Sequence, residues 1–177
     1  MTVKTAKRGQ GDLLGIYLND HLAGSLAGLE LARRMAGAAE PGSESESVLA
    51  RLVTELAQDR AELLQIMAAL GIKVRGYKMF AAWAGEKAGR MKLNGRLVTK
   101  SPLSSLVEAE ILRLGIEGKA AGWRTLRALA VRDDRLDAAR LDWLLARAVS
   151  QSEAAETLRV RVAERVLAER VLAEAGR

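Results

Sequence analysis

Five ionisable side chains fall on the apolar faces of predicted helices, where their types and spacing could support chemistry. They are His21, Arg60, Glu110, Glu117 and Arg159. A charge on an apolar helix face must be paired, because an isolated buried charge is costly in free energy. The spacing therefore predicts a buried polar network in which the two arginines pair with the two glutamates and the histidine hydrogen-bonds in the same layer.

The same residues leave two chemical alternatives open. His21 could act as an acid or base in a polar pocket, and Glu110 with Glu117, two turns apart on one face, could form a carboxylate metal site. Arginines in the same layers would compete with a metal for those carboxylates. The chain has one histidine and no cysteine, which excludes thiolate zinc sites and cysteine nucleophiles. We therefore expect no catalytic residue, no metal and no cofactor, and do not favour an enzyme.

Four segments with helical periodicity must position these side chains. They form a predicted single helical domain over residues 1–177, with main helices at 12–36, 47–70, 102–131 and 134–173. The inward stripe of the second helix includes Arg60, and that of the fourth includes Ser152 and Arg159. In both helices the remaining positions of the stripe are mostly Leu, Val, Met and Ala.

The third predicted helix carries two apolar stripes. Leu103, Val107, Glu110, Leu114, Glu117, Ala121, Thr125 and Ala128 are predicted to face the core. Leu112, Ile116 and Trp123 lie on the far side, which predicts a cover there, either the preceding segment or another subunit.

Five glycines occur inside helical patterns. They are Gly24 and Gly28 in the first helix and Gly115, Gly118 and Gly122 in the third. Small residues allow two helix backbones to approach closely, so we predict a packing role for all five.

Residues 73–100 hold eight basic side chains and one acidic one, in a chain whose net charge is +6. The segment is predicted to carry a short extra helix whose aromatic face packs on the back of the third helix. Its basic face could instead bind nucleic acid or an anionic membrane surface. The anion-binding candidates are Lys78, Lys87, Arg90, Lys92 and Arg96.

The connection lengths predict two antiparallel hairpins joined by one long crossover, and this all-α layout resembles the ferritin-like four-helix bundles. The stretches 17–21, 92–97 and 101–104 also resemble an uncharacterised bacterial family of helical proteins, which carries no established activity. The ferritin-like resemblance implies Glu-x-x-His motifs for two irons. This chain contains none, so the resemblance is to the scaffold and not to the di-iron site.

The sequence therefore favours a non-catalytic bundle with a structural or interaction role. A homo-oligomer is a candidate assembly. Nonspecific nucleic-acid or anionic-surface binding through residues 73–100 is the first alternative, and an atypical carboxylate metal protein is the second. The charges within residues 13–37 argue against a transmembrane segment, and the lack of cysteine and of a signal pattern leads us to expect a cytoplasmic protein.

Overall fold

In a computed structural model of the chain, four helices form the part that the structure describes, which is the backbone of residues 6–75 and 103–175. Side chains are described for residues 13–75 and 103–168. The helices are α1 Ala6–Ala38, α2 Glu44–Ala69, α3 Leu103–Leu129 and α4 Ala138–Ala175. These ranges contain no strand, which confirms the all-α prediction.

Polar caps fix where α2 and α4 begin. The Ser43 hydroxyl accepts a hydrogen bond from the Glu46 backbone amide at 3.1 Å, and the Glu46 carboxylate accepts from the Gly42 amide at 2.7 Å. This reciprocal arrangement is close to a capping box, so α2 begins earlier than the predicted residue 47. Asp137 caps α4 by accepting from the Arg140 amide at 3.0 Å, which places the helix start after the predicted residue 134.

The chain leaves α2 through a glycine turn that α1 holds in place. Gly71 has a φ of 69°, a left-handed conformation that ends the helix where the sequence predicts. The Asn19 side chain of α1 then accepts from the Arg75 amide at 2.7 Å and donates to the Lys73 carbonyl at 3.2 Å. One amide side chain thus fixes two backbone groups of the exit segment.

Two apolar clusters fill opposite ends of the bundle and show how the helices run. One joins the end of α1 and the start of α2 to the start of α3 and the end of α4. The other joins the start of α1 and the end of α2 to the end of α3 and the start of α4. Since α1 packs on α2 and α3, and α4 packs on α3 and α2, every helix is antiparallel to both neighbours. The chain leaves α2 at one end and enters α3 at the other.

The predicted phase of α3 is wrong. Its core face consists of Ala109, Leu112, Ile116, Ala120, Trp123 and Leu126. The stripe predicted to face inward is largely exposed: Leu114 is 64 % exposed and Val107 46 %. Both stripes have suitable periodicity, and the bundle buries the one with the bulky tryptophan and isoleucine, because larger apolar surfaces gain more from burial.

On α2 and α4 the polar residue that reaches the core is one position away from the predicted one. The buried charge on α2 is Asp59, which is 2 % exposed, and the neighbouring Arg60 is only partly buried. On α4 the fully buried polar residue is Gln151, while the predicted Ser152 is partly buried. A shift of one position moves a side chain about 100° around a helix, which is enough to exchange the residue that reaches the core.

In residues 6–75 and 103–175, no helix combines the length and the apolar character that crossing a membrane requires. The extra helix predicted within residues 73–100 lies outside the described part of the chain, which stops at residue 75 and resumes at residue 103.

Candidate functional site

A cavity of about 460 Å³ lies between α1, α2 and α3 near the middle of the bundle. Its walls are mainly apolar, with leucines from all three helices and Ile116 and Trp123 from α3. Gly24, Gly115 and Gly118 line it and are exposed, so the cavity opens to solvent between α1 and α3. Its volume falls in the range of sites that bind small molecules.

Four helix-interior glycines face this open space. A methyl group built at Gly24, Gly28, Gly115 or Gly118 would meet no atom of residues 6–75 and 103–175 within 4 Å. The prediction that these glycines bring two backbones together is therefore wrong for these four positions. They remove side chains from the place where α1 and α3 separate, and the space that they leave is the cavity.

Gly122 has a packing role, as predicted, but it makes room for a side chain of α1 and not for a second backbone. A methyl group there would lie 3.1 Å from two atoms of the His21 ring. The His21 ring also meets Tyr17 edge to face, with centroids 4.5 Å apart, and the Tyr17 hydroxyl lies 3.1 Å from that of Thr125. These contacts join α1 to α3 at one end of the cavity.

His21 lines the cavity as a half-buried imidazole. Burial lowers its pKa from the ordinary value of 6.5, and the charge of Asp20 opposes this shift only in part. The ring is therefore mainly neutral at neutral pH, with one nitrogen that donates and one that accepts.

A buried ion network lies beside the cavity and links α2, α3 and α4. Asp59 accepts hydrogen bonds from Lys119 and Arg147, and from the Gln151 side-chain amide at 3.1 Å. Lys119 also donates to the Gln151 carbonyl oxygen. Asp59 is thus compensated by two cations and an amide, as a carboxylate at 2 % exposure requires.

Lys119 belongs to both the network and the cavity wall. Burial lowers the pKa of its ammonium group most strongly, and nearby Arg147 lowers it further, while Asp59 raises it through charge and hydrogen bonding. The net shift is downward. The network therefore holds Lys119 in place at a cost in solvation, and leaves its hydrogen bonds committed to Asp59 and Gln151.

Two residues that line the cavity each carry a buried donor without a partner in the described chain. Trp123 is 3 % exposed, and its indole Nε1–H makes no hydrogen bond to the described residues. Arg60 forms no ion pair within the described chain, and its Nε is shielded from solvent without an acceptor. Buried donors are normally satisfied, so both groups require an explanation.

The structure does not assemble the five predicted residues into one network. His21 and Arg60 line the cavity, but Glu110 is exposed on the outer face of α3. Glu117 accepts a hydrogen bond from Ser152, and Arg159 pairs with Glu156 at 2.7 Å on its own helix. The predicted pairing is therefore wrong, because it relied on the inverted phase of α3.

The residues that do form the buried network were missed, although the sequence contains a signal for them. Asp59 on α2 and Gln151 on α4 each lie next to a residue that the stripes assigned to the core, Arg60 and Ser152. The predicted stripes of α2 and α4 are correct at every second position, such as Leu49, Leu56, Leu141 and Ala148. If the positions between them are taken one residue earlier, they become Asp59 and Gln151 together with Leu52, Leu144 and Leu158, which are buried.

Metal binding finds no support in the side chains that the structure describes. No group of three or more His, Asp or Glu residues there is placed to hold a metal ion. Glu110 and Glu117 do not form a site, since one is exposed and the other contacts Ser152. The anion-binding candidates Lys78, Lys87, Arg90, Lys92 and Arg96 lie outside the described residues.

Comparison with known proteins leaves the cavity as the main guide to function. No family model, no curated protein and no solved structure matches this chain.

Proposed function

We propose that this protein is a non-catalytic binding bundle that holds a small, mainly apolar molecule in the cavity between α1, α2 and α3. The observation that carries the proposal is the set of four helix-interior glycines that face open space. Glycine in a helix interior costs about 1 kcal/mol relative to alanine. Four such positions together lower stability by about 4 kcal/mol, and close packing does not compensate for that loss at any of them.

The walls of the cavity support the same proposal. Apolar side chains such as Leu63, Leu112 and Ile116 provide surface that a ligand would remove from water. Trp123 adds a buried donor without a partner, an independent sign that something else supplies the acceptor. Binding would therefore gain from apolar contact along the walls and from one or more hydrogen bonds.

The path of the chain supports a ferritin-like arrangement as part of this proposal. Two antiparallel hairpins are joined by a connection that begins at one end of the bundle and finishes at the other, as in bundles with one long crossover. Bundles of that kind build their sites from inward side chains at mid-height. In this chain the same level holds the cavity and the Asp59 network.

Binding of a neutral fluorescent probe tests the proposal. We expect N-phenyl-1-naphthylamine to bind in a one-to-one ratio with a strong rise in fluorescence. Gly115→Leu would fill the opening and weaken binding at least about 10-fold, the effect of losing a few apolar contacts. Gly37→Leu is the matched control, because Gly37 is an exposed α1 glycine away from the cavity. No binding, or equal binding by both variants, would refute the proposal.

Self-association is a second proposal, favoured by the outer face of α3. Val107, Ile111 and Leu114 are 46 %, 45 % and 64 % exposed and lie on one side of the helix. A second copy of the chain would cover this face. Light scattering on the purified protein tests it: a dimer that Leu114→Glu converts to monomer supports it, and a monomer at all concentrations refutes it.

A further inference from the structure

The charges around the cavity sum to zero, but they are not all paired. Besides Tyr17, whose hydroxyl contacts Thr125, the ionisable residues of the lining are Asp20, His21, Asp59, Arg60 and Lys119. Asp59 and Lys119 neutralise one another within the buried network. Asp20 is exposed, and its charge acts on the adjacent His21. Arg60 remains as a permanent cation with no carboxylate partner in the described chain.

Arg60 is held where a ligand would meet it. It belongs to α2 and follows directly after the buried Asp59, whose hydrogen bonds to α3 and α4 fix that turn of the helix. Its Nε is shielded from water, so the group has lost part of its hydration without gaining an acceptor. A guanidinium offers a planar pair of donors that match a carboxylate, and such charge-assisted pairs are among the stronger hydrogen bonds.

The second unpaired group, the Trp123 indole, is also a hydrogen-bond donor. The Trp123 indole can only donate, and at 3 % exposure it has almost no access to bulk water. Apart from the exposed Asp20, the neutral His21 and the Ser25 hydroxyl, the uncommitted polar groups of the wall are donors. A ligand that satisfies them must bring acceptors, while its body must match walls of leucine, isoleucine and glycine.

We propose that the cavity takes an organic anion, a carboxylate on an apolar body, with the carboxylate on Arg60 and an acceptor for the Trp123 indole. This inference rests on the proposed function and names its ligand class. The apolar body would occupy the space between α1 and α3 that Gly24, Gly28, Gly115 and Gly118 leave open. The Asp59 network would stay intact, since its donors are already used.

A series of three ten-carbon ligands tests the charge that the site selects. Decanoate, 1-decanol and decylamine share one apolar chain and differ in the charge of the head. We expect decanoate to bind roughly 10- to 100-fold more tightly than decanol in isothermal titration, and decylamine to bind more weakly than decanol. Equal affinity of the acid and the alcohol, or tighter binding of the amine, would overturn the inference.

Variants of the two donors test the assignment of residues. Arg60→Gln should remove most of the preference for decanoate and leave the affinity for decanol within about 2-fold. Trp123→Phe, which keeps an aromatic ring, should weaken decanoate roughly 3- to 10-fold. Arg51→Gln is the control, because Arg51 is an exposed arginine of α2 that pairs with Glu55 outside the cavity. A preference that survives Arg60→Gln, or disappears in Arg51→Gln, contradicts the assignment.

The outcomes also separate this inference from the function on which it rests. If decanol and the naphthylamine probe bind but decanoate binds no more tightly than decanol, the cavity is a neutral apolar site and only the inference fails. If none of these ligands binds, both fail. Circular dichroism of each variant verifies the fold, and Arg60→Lys provides a second test. It should keep part of the preference, because it retains the charge without the planar pair of donors.

Discussion

At the scale of single residues, the structure depends most on Asp59. This carboxylate is the acceptor that Lys119, Arg147 and Gln151 share, so three helices meet at one side chain. When one partner of a buried ion pair is removed, the remaining charge loses its compensation, and such losses reach about 3–5 kcal/mol.

Asp59→Asn is therefore expected to lower the free energy of unfolding by about 3–5 kcal/mol in chemical denaturation. Lys119→Met should cost at most about 1.5 kcal/mol, since Asp59 keeps Arg147 and Gln151, and the cost of burying the ammonium disappears. Asp142→Asn is the surface control, because its pair with Arg127 is exposed and contributes little. Equal losses for Asp59→Asn and Asp142→Asn would show that the network does not hold the bundle together.

His21 makes stability depend on pH in a defined direction. Burial lowers its pKa in the folded state below the ordinary value of 6.5, so the unfolded chain binds more protons between the two values. Stability contributed by the neutral ring is present above pH 6.5 and is lost as pH falls toward the folded pKa.

We expect the bundle to lose stability from pH 7.5 to pH 5.5, and to lose less of it in His21→Gln. Because His21 is the only histidine of the chain, its titration can be followed by NMR without assignment. A titration midpoint above 6.5, or an unchanged pH dependence in the variant, would contradict the account.

At the scale of helices, α3 shows how far the sequence can predict this fold. Periodicity and turn residues predict four helices, and the glycine that ends α2 has the expected left-handed backbone. Periodicity does not choose between the two apolar stripes of α3, because each has helical spacing. Packing volume decides between them, and volume is a property of all four helices together.

Two leucines of α3 test this choice of face. Leu112 is 1 % exposed and Leu114 is 64 % exposed, although they are two positions apart. Leu112→Ala should destabilise the protein by about 2–5 kcal/mol, and Leu114→Ala by less than about 0.5 kcal/mol. Denaturation midpoints measure both. A larger loss of stability for Leu114→Ala than for Leu112→Ala would show that the stripe predicted from the sequence does face the core.

Two glycines one turn apart on α3 should respond oppositely to alanine. At Gly118 a methyl group meets no atom of the described chain within 4 Å, so Gly118→Ala should stabilise the helix by about 0.5–1 kcal/mol. At Gly122 the methyl group would lie 3.1 Å from His21, and Gly122→Ala should destabilise by about 1 kcal/mol or more. Stabilisation by both, measured by thermal unfolding, would show that α1 and α3 do not meet at Gly122.

The cavity itself could not be predicted from sequence, and the reason is physical. Glycines that bring helices together and glycines that leave a space between them have the same spacing in a sequence. The difference lies in whether the facing helix brings a side chain close, as α1 brings His21 to Gly122, or leaves the position open, as at Gly118. The predicted network failed for a related reason, since it needed the correct phase of four helices at once.

At the scale of the whole molecule, two apolar ends enclose a polar middle layer. The clusters at the two ends hold the helices together, while the Asp59 network and the cavity lie between them. This arrangement lets the bundle keep an open space at mid-height, because the two end clusters and the neighbouring Asp59 network supply the contacts that hold the helices together. A ligand that fills the cavity should therefore raise the unfolding temperature without changing the helical content.

The most direct test of the binding proposal is the indole signal of Trp123 during titration with N-phenyl-1-naphthylamine. The chain has three tryptophans, so the Trp123→Phe and Trp143→Phe variants assign the two signals to be compared in a ¹H–¹⁵N spectrum. We predict that the Trp123 signal shifts and saturates, while the signal of Trp143, which lies 46 % exposed on the outer face of α4, stays unchanged. A Trp123 signal that does not move, or one that moves no more than that of Trp143, would contradict the account.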